Sequence, residues 1–309
     1  MKRLLATLSV AVALLVGPAQ AQDDRKTVAV GDLTVSYGEA GEGVPLVLVH
    51  GGGLTSRMWG GFAPVAAAAG FHVFTPDTRN HGATDNPSGQ FSYDLAAQDL
   101  AGFILALGLD RPVLMGYSDG GIIMQKALLA QPDLARAAVI GGATNRVAAD
   151  DHYMAGMTAF YGYAERGALP EAVLDALVIN APDFAARLQS LHATATEPER
   201  WRSLHQLAWP VWTTEMVLPL EAYSAINVPV LVILGQFDDF FLPQDALTLA
   251  AAMSRGEIAI LPGASHAAFR QAPICSQALC WTFSLALRLS KRDRNEDHPS
   301  FRHAGQHPA

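Results

Sequence analysis

Three residue types that together perform acyl transfer, a serine, a carboxylate and a histidine, each stand just past an apolar run. Ser118 lies in Gly116-Tyr117-Ser118-Asp119-Gly120, between the run 112–115 and a helix-like stretch, 121–130. A serine on a sharp strand-to-helix turn is held in a strained backbone conformation. Glycines two residues either side are needed because side chains there would strike the neighbouring strand and helix. The hydroxyl is then raised out of the sheet to the positive end of a helix. A serine hydroxyl is a weak nucleophile at neutral pH and needs a base within hydrogen-bond reach. His266 follows the run 258–261. Asp238 and Asp239 follow the run 229–234. A histidine can take the serine proton and return it to the leaving group. A carboxylate on its other nitrogen fixes the tautomer and steadies the transient imidazolium. On residue type alone either aspartate fills that place, and His266 alone reads equally well as an exposed loop residue.

The elements that must position these groups follow from the apolar pattern. Runs 27–30 and 33–37 flank Gly31-Asp32, a hairpin signal. The run 46–49 ends in His50-Gly51-Gly52-Gly53, and 72–75 ends in Asp77-Thr78-Arg79-Asn80-His81-Gly82. Strands are also expected at 113–115, 137–140, 229–234 and 258–261, with helices at 62–69, 93–107, 121–130 and 242–253. Between 148 and 225 the pattern is helix-like with no clear strand. Apolar strands alternating with helices imply a parallel sheet covered on both faces. Ligands of such sheets bind outside the carboxyl ends of the strands. Serine, carboxylate and histidine therefore fall on one edge, in the chain order Ser, Asp, His.

With these residues in place, the chain from about 28 to 284 resembles the α/β-hydrolase superfamily in its single-domain form. The resemblance implies an α/β fold: a mostly parallel eight-stranded sheet flanked by helices, with a helical cap inserted at 148–225 and core segments at 22–147 and 226–289. It implies Ser118 as nucleophile, His266 as base and Asp238, rather than Asp239, as the orienting acid. The segment from Asp77 to Gly82 resembles the family's D-x-R-G-H-G loop, with Asn80 in place of a glycine. An oxyanion needs donors fixed in advance, and these are expected from the backbone N–H groups of Gly52 and Asp119. The Asp119 side chain either tunes His266 electrostatically or faces solvent. His50 and His81 are expected to hold loops by hydrogen bonding.

The insertion is rich in aromatics, among them Tyr153, Phe160, Tyr161, Tyr163, Trp201, Trp209 and Trp212. Tyr153, Phe160 and Trp209, with Trp59 next to the glycine loop, are the candidates for walling an apolar substrate pocket. The expected reaction is hydrolysis of a carboxylic ester or lactone through an acyl-enzyme on Ser118, with no cofactor and no metal. The same triad serves amidases, carbon–carbon bond hydrolases and cofactor-free haloperoxidases. Ser118 argues against the relatives with an aspartate nucleophile, the haloalkane dehalogenases and epoxide hydrolases. A reading of another class is a non-catalytic ligand-binding receptor on the same fold, but such proteins often lack a triad member or the oxyanion glycine, and all are present here.

Composition sets the remaining bounds. Half the residues are hydrophobic and 16% are charged, the balance of a core-rich globular protein. The net charge of −8 and the lack of a basic run leave no electrostatic footprint for nucleic acid; a small-molecule partner is expected. Lys2 and Arg3, the apolar run 4–16 and Ala19-Gln20-Ala21 form a signal-peptide pattern over 1–21, so export to a periplasm or the medium is expected, without a stable membrane anchor. The cysteines, Cys275 and Cys280, are expected to be free thiols, since five residues apart on a helix they point to different faces. Residues 290–309 read as a disordered tail.

Overall fold

The computed structural model describes residues 25–194 and 196–266. The expectations for the leader at 1–21, for Cys275 and Cys280, and for the tail lie outside the described residues.

The chain forms β1 (Lys26–Val30), β2 (Leu33–Ala40), β3 (Val44–Val49), α1 (Ala63–Ala68), β4 (Phe71–Pro76), α2 (Tyr93–Ala106), β5 (Val113–Tyr117), α3 (Asp119–Ala130) and β6 (Ala137–Gly141). There follow β7 (Arg146–Val147), α4 (Asp151–Tyr161), α5 (Glu171–Asn180), α6 (Pro182–His192), α7 (Arg200–Thr213) and β8 (Met216–Val217). Finally come β9 (Val230–Phe237), α8 (Pro243–Ala251) and β10 (Gly256–Ser265). Eight strands make one sheet in the order β1-β2-β4-β3-β5-β6-β9-β10. β2 runs antiparallel to β1 and β4, and the remaining pairings are parallel. This is the α/β-hydrolase fold expected from the sequence.

The period of two along each strand sorts the core into two layers. Val47, Val49 and Leu114 face a cluster with α2 and α3, whereas Leu46, Leu48, Val113 and Met115 face one with α1. Every residue of β5 and β6 is buried, which is why these strands read as continuous apolar runs rather than alternating ones. Local signals start the helices: Ser92 caps α2 by accepting from Leu95 N–H, and Asp150 caps α4 by accepting from Tyr153 N–H.

The insertion is not wholly helical, contrary to the reading of 148–225. β8 pairs antiparallel with β7 just before it, Arg146 opposite Val217. Asn145 extends the ribbon by donating its side-chain N–H to Leu218 O at 2.9 Å and accepting Leu218 N–H on its own carbonyl at 2.8 Å. The ribbon ties together the points where the helical excursion leaves and rejoins the sheet. Two residues per strand are too few to show an alternation.

Candidate active site

The turn from β5 into α3 has the strain expected of it. Ser118 sits at φ 54°, ψ −121°, a region that costs a non-glycine residue about 1–3 kcal/mol. It is held there by its N–H donating to Gly141 O at 2.8 Å and its carbonyl accepting from Gly121 N–H at 2.8 Å. A Cβ on Gly116 would strike the Gly120 carbonyl, and one on Gly120 would strike the Val49 carbonyl. The two glycines thus allow helix α3 and strand β3 to close on the turn.

Parallel pairing of β9 with β10 delivers the other two groups together. Ser265 pairs with Phe237, after a register shift that follows Leu261, so the next residues, His266 and Asp238, emerge side by side. His266 Nδ1 lies 3.0 and 2.9 Å from the two Asp238 carboxylate oxygens, and its Nε2 lies 3.1 Å from Ser118 Oγ. Asp238 is buried, and its Oδ1 also accepts from the N–H groups of Phe240 and Phe241, both at 3.0 Å. A carboxylate can only accept, so Nδ1 carries the proton and Nε2 presents its lone pair to the serine. Asp239 is exposed, and among the described residues its carboxylate reaches only the His266 backbone N–H, at 3.4 Å. Tyr117 donates its hydroxyl to His266 O at 2.7 Å, and the Phe240 ring stands edge-on to the imidazole at 4.7 Å.

The glycine loop abuts the turn: a Cβ on Gly51 would lie 3.2 Å from Ser118 Cβ. Gly51 N–H donates to Met58 Sδ, Gly53 N–H to His81 Nε2 and Leu54 N–H to Gly51 O. Gly52 N–H has no such bond among the described residues. Asp119 is the first residue of α3, and its N–H is one of the donors a helix leaves unpaired. These two N–H groups are the candidates for the oxyanion site.

The Asp119 side chain does not face solvent. It is buried, with Oδ1 accepting from Tyr93 OH at 2.8 Å and Oδ2 from Trp212 Nε1 at 2.6 Å. Burial pushes its pKa up to about 6, against the opposing pull of those two hydrogen bonds and of His266.

A cavity of about 380 Å³ opens over Ser118 and His266. Tyr153 and Phe160 of α4 line it, together with Met157, Tyr161, Phe184, Leu188, His205 and Trp212, and Phe240 and Phe241 beyond Asp238. Trp59 and Trp209 do not line it, which corrects the sequence reading. Trp59 is buried in the α1-side layer, packed on Phe62 with ring centroids 5.9 Å apart. Trp209 is fully buried within the cap, its Nε1 donating to Glu165 O and its ring edge-on to Tyr161. Aromatic content locates a wall but not which indoles turn inward to pack it.

His50 and His81 hold loops. His50 donates from Nδ1 to Gly51 O at 2.9 Å and accepts Thr78 N–H on Nε2 at 3.0 Å. His81 donates from Nδ1 to Arg79 O at 2.9 Å and accepts Gly53 N–H on Nε2 at 3.2 Å. Burial depresses both pKa values, keeping the rings neutral. Asn80, standing where the family motif has glycine, takes the left-handed φ of 65° that asparagine tolerates. Sequence reasoning missed two further imidazoles, His192 and His205, which come from the cap into this cluster. No local motif marks either. Among the described residues no group of histidines, cysteines or carboxylates is arranged to hold a metal ion.

The model of the alpha/beta hydrolase family matches residues 46–274, and the chain belongs to that family. Membership carries the enzyme class, hydrolase. BpoC of Mycobacterium tuberculosis, which has a provisional non-heme bromoperoxidase name, is 27% identical over 260 residues, 78% of this chain and 94% of that one. The meta-cleavage product hydrolase CumD of Pseudomonas fluorescens IP01 superposes with a TM-score of 0.68 at 18% identity, covering 85% of this chain and 98% of that one. The enol-lactonase of Burkholderia xenovorans LB400 gives 0.64 at 21% identity, covering 84% and 100%.

Proposed function

We propose that the protein hydrolyses a carboxylic ester or lactone through an acyl-enzyme on Ser118. The observation that carries this is the continuous relay from Ser118 Oγ to His266 Nε2 at 3.1 Å and from His266 Nδ1 to Asp238 at 2.9 Å. Ser118 Oγ attacks the carbonyl carbon as its proton passes to Nε2. The oxyanion is held by the N–H groups of Gly52 and Asp119, each such donor lowering the barrier by about 3 kcal/mol. The C–O bond then breaks, and Nε2 gives its proton to the departing alkoxide. Water, deprotonated by the same nitrogen, attacks the acyl carbon and releases the acid and free serine. Asp238 keeps Nδ1 protonated throughout and balances the imidazolium.

The aromatic and aliphatic walls favour a small to medium, partly apolar substrate in the cavity of about 380 Å³. The basic start, apolar run and Ala19-Gln20-Ala21 of the leader support export as part of this reading. N-terminal sequencing of the mature protein tests that part; a chain retaining Met1 contradicts it.

The test of the reaction is a panel of short esters, lactones, amides and thioesters against the wild type and Ser118→Ala. Ester or lactone turnover lost in the variant is expected. Turnover confined to amides would shift the substrate class. None at all, with ligands still bound, would favour the receptor reading.

A further inference from the structure

His192 is the last residue of cap helix α6, and its fully buried ring reaches across to two core loops at once. Its Nδ1 accepts Gly82 N–H at 3.1 Å, so the proton is on Nε2, which donates to Gly53 O at 3.0 Å. The glycine loop is therefore gripped by three neutral imidazoles: His50 on Gly51 O, His81 on Gly53 N–H and His192 on Gly53 O. The Gly52 N–H, unpaired among the described residues, lies between the gripped residues. His50 and His81 are core residues and hold the loop wherever the cap sits. His192 arrives from the insertion, 139 positions along the chain from Gly53.

We propose that His192 is a positioning residue that couples the seating of the cap to the aim of the Gly52 N–H at the oxyanion. This rests on the reading of Gly52 as an oxyanion donor. With the cap seated, the bond to Gly53 O fixes the plane of the Gly53–Leu54 peptide and completes the restraint on the loop, whose Gly51 O and Gly53 N–H are held by His50 and His81. With the cap displaced, that carbonyl is released, the loop after Gly52 is held by His50 and His81 alone, and the direction of the donor loosens, which is the property an oxyanion site depends on. The second bond, to Gly82 N–H, and the two that Arg200 makes to Gly82 O and Thr84 O anchor the cap on the neighbouring loop without touching residues 51–53. Burial, with the nearby His205, His50 and Arg200, pushes the His192 pKa down to about 4, so the ring keeps its acceptor nitrogen at neutral pH.

The two bonds can be separated by substitution. The amide of asparagine stands where Nδ1 does and can keep the Gly82 bond alone. The longer glutamine stands where Nε2 does and can keep the Gly53 bond alone. Steady-state kinetics on a short ester should show His192→Asn with kcat lowered about tenfold or more and KM within about threefold, and His192→Gln close to wild type in kcat. A purely structural role would make the two variants track their stabilities. Equal kcat values, or an effect of His192→Asn on KM alone, overturns the proposal. Gly52→Ala is measured beside them. If it collapses kcat while His192→Asn does not, the coupling fails and the oxyanion reading stands. If Gly52→Ala retains wild-type kcat, both fail. Should either His192 variant not fold, NMR of wild type phosphonylated on Ser118 decides: a slowly exchanging Nε2–H on His192 supports the coupling, and the Nδ1–H tautomer refutes it.

Discussion

Trp212 Nε1 donates to Asp119 Oδ2 at 2.6 Å, bonding cap helix α7 to the residue that follows Ser118. The carboxylate is buried, both its oxygens are used, and its pKa is raised to about 6. A raised folded pKa means that the native state binds the extra proton between about 6 and 3.8. This group therefore opposes folding above pH 6, by about 3 kcal/mol, and that penalty is relieved as pH falls.

Asp119→Asn and Asp119→Leu should consequently differ. The asparagine carbonyl can still accept from Trp212, and its N–H₂ can donate to the Tyr93 hydroxyl, with the charge gone. Urea unfolding at pH 8 should place it near or above wild type. Leucine leaves two buried donors unpaired and should lose about 2–5 kcal/mol. Equal destabilisation by both substitutions would refute the account of this contact.

Acid should weaken the fold through the cap histidines. His192 and His205 are buried neutral, with pKa values pushed down to about 4 by desolvation. A depressed folded pKa gives stability that is complete above the unfolded value of about 6.5 and is lost as pH falls toward 4, about 3 kcal/mol for each ring. Asp119 acts with opposite sign over a similar window, so the pair of histidines prevails. The urea midpoint should drop between pH 6.5 and 4, and less steeply in His205→Phe. A midpoint that rises over that range would contradict this.

Asp238→Asn should lower kcat about 10⁴-fold, because an amide no longer holds His266 in the Nδ1–H tautomer. Asp239→Asn should stay close to wild type, since its carboxylate is exposed and, among the described residues, touches only a backbone N–H. Steady-state rates on one ester decide, and the reverse ranking would exchange the two roles.

Gly52→Ala should cost about 10²–10³ in kcat with the fold intact. The added methyl group would fall on Asp119 Oδ2 and Trp212 Cζ2, so the loop must move and carry the Gly52 N–H with it. Rates on a short ester, with circular dichroism as the check on folding, measure this. Unchanged kcat would remove Gly52 from the oxyanion site.

The sheet and the positions of Ser118, Asp238 and His266 were legible because each depends on local sequence: an apolar run, its end and the residue just beyond it. Parallel strands bring such ends to one edge whatever lies between. Residue type left Asp238 and Asp239 open, the family resemblance chose Asp238, and the register of Ser265 with Phe237 gives the physical reason it is Asp238 that meets His266. The direction of side chains was not legible. Trp59 and Trp209 match Tyr153 and Phe160 in type and setting, yet their rings turn into packed layers. His192, His205 and the Asp119–Trp212 bond escaped notice because their partners are far off in the chain, 139 positions for His192 and Gly53 and 93 for Asp119 and Trp212.

The central claim is that Ser118 is the nucleophile. Intact-mass and peptide mass spectrometry after treatment with a fluorophosphonate measures it directly. One adduct per chain on the peptide containing Ser118, absent from Ser118→Ala and much slowed in Asp238→Asn, is the predicted result. A folded wild type that remains unlabelled, or a Ser118→Ala variant labelled to the same extent, would contradict it.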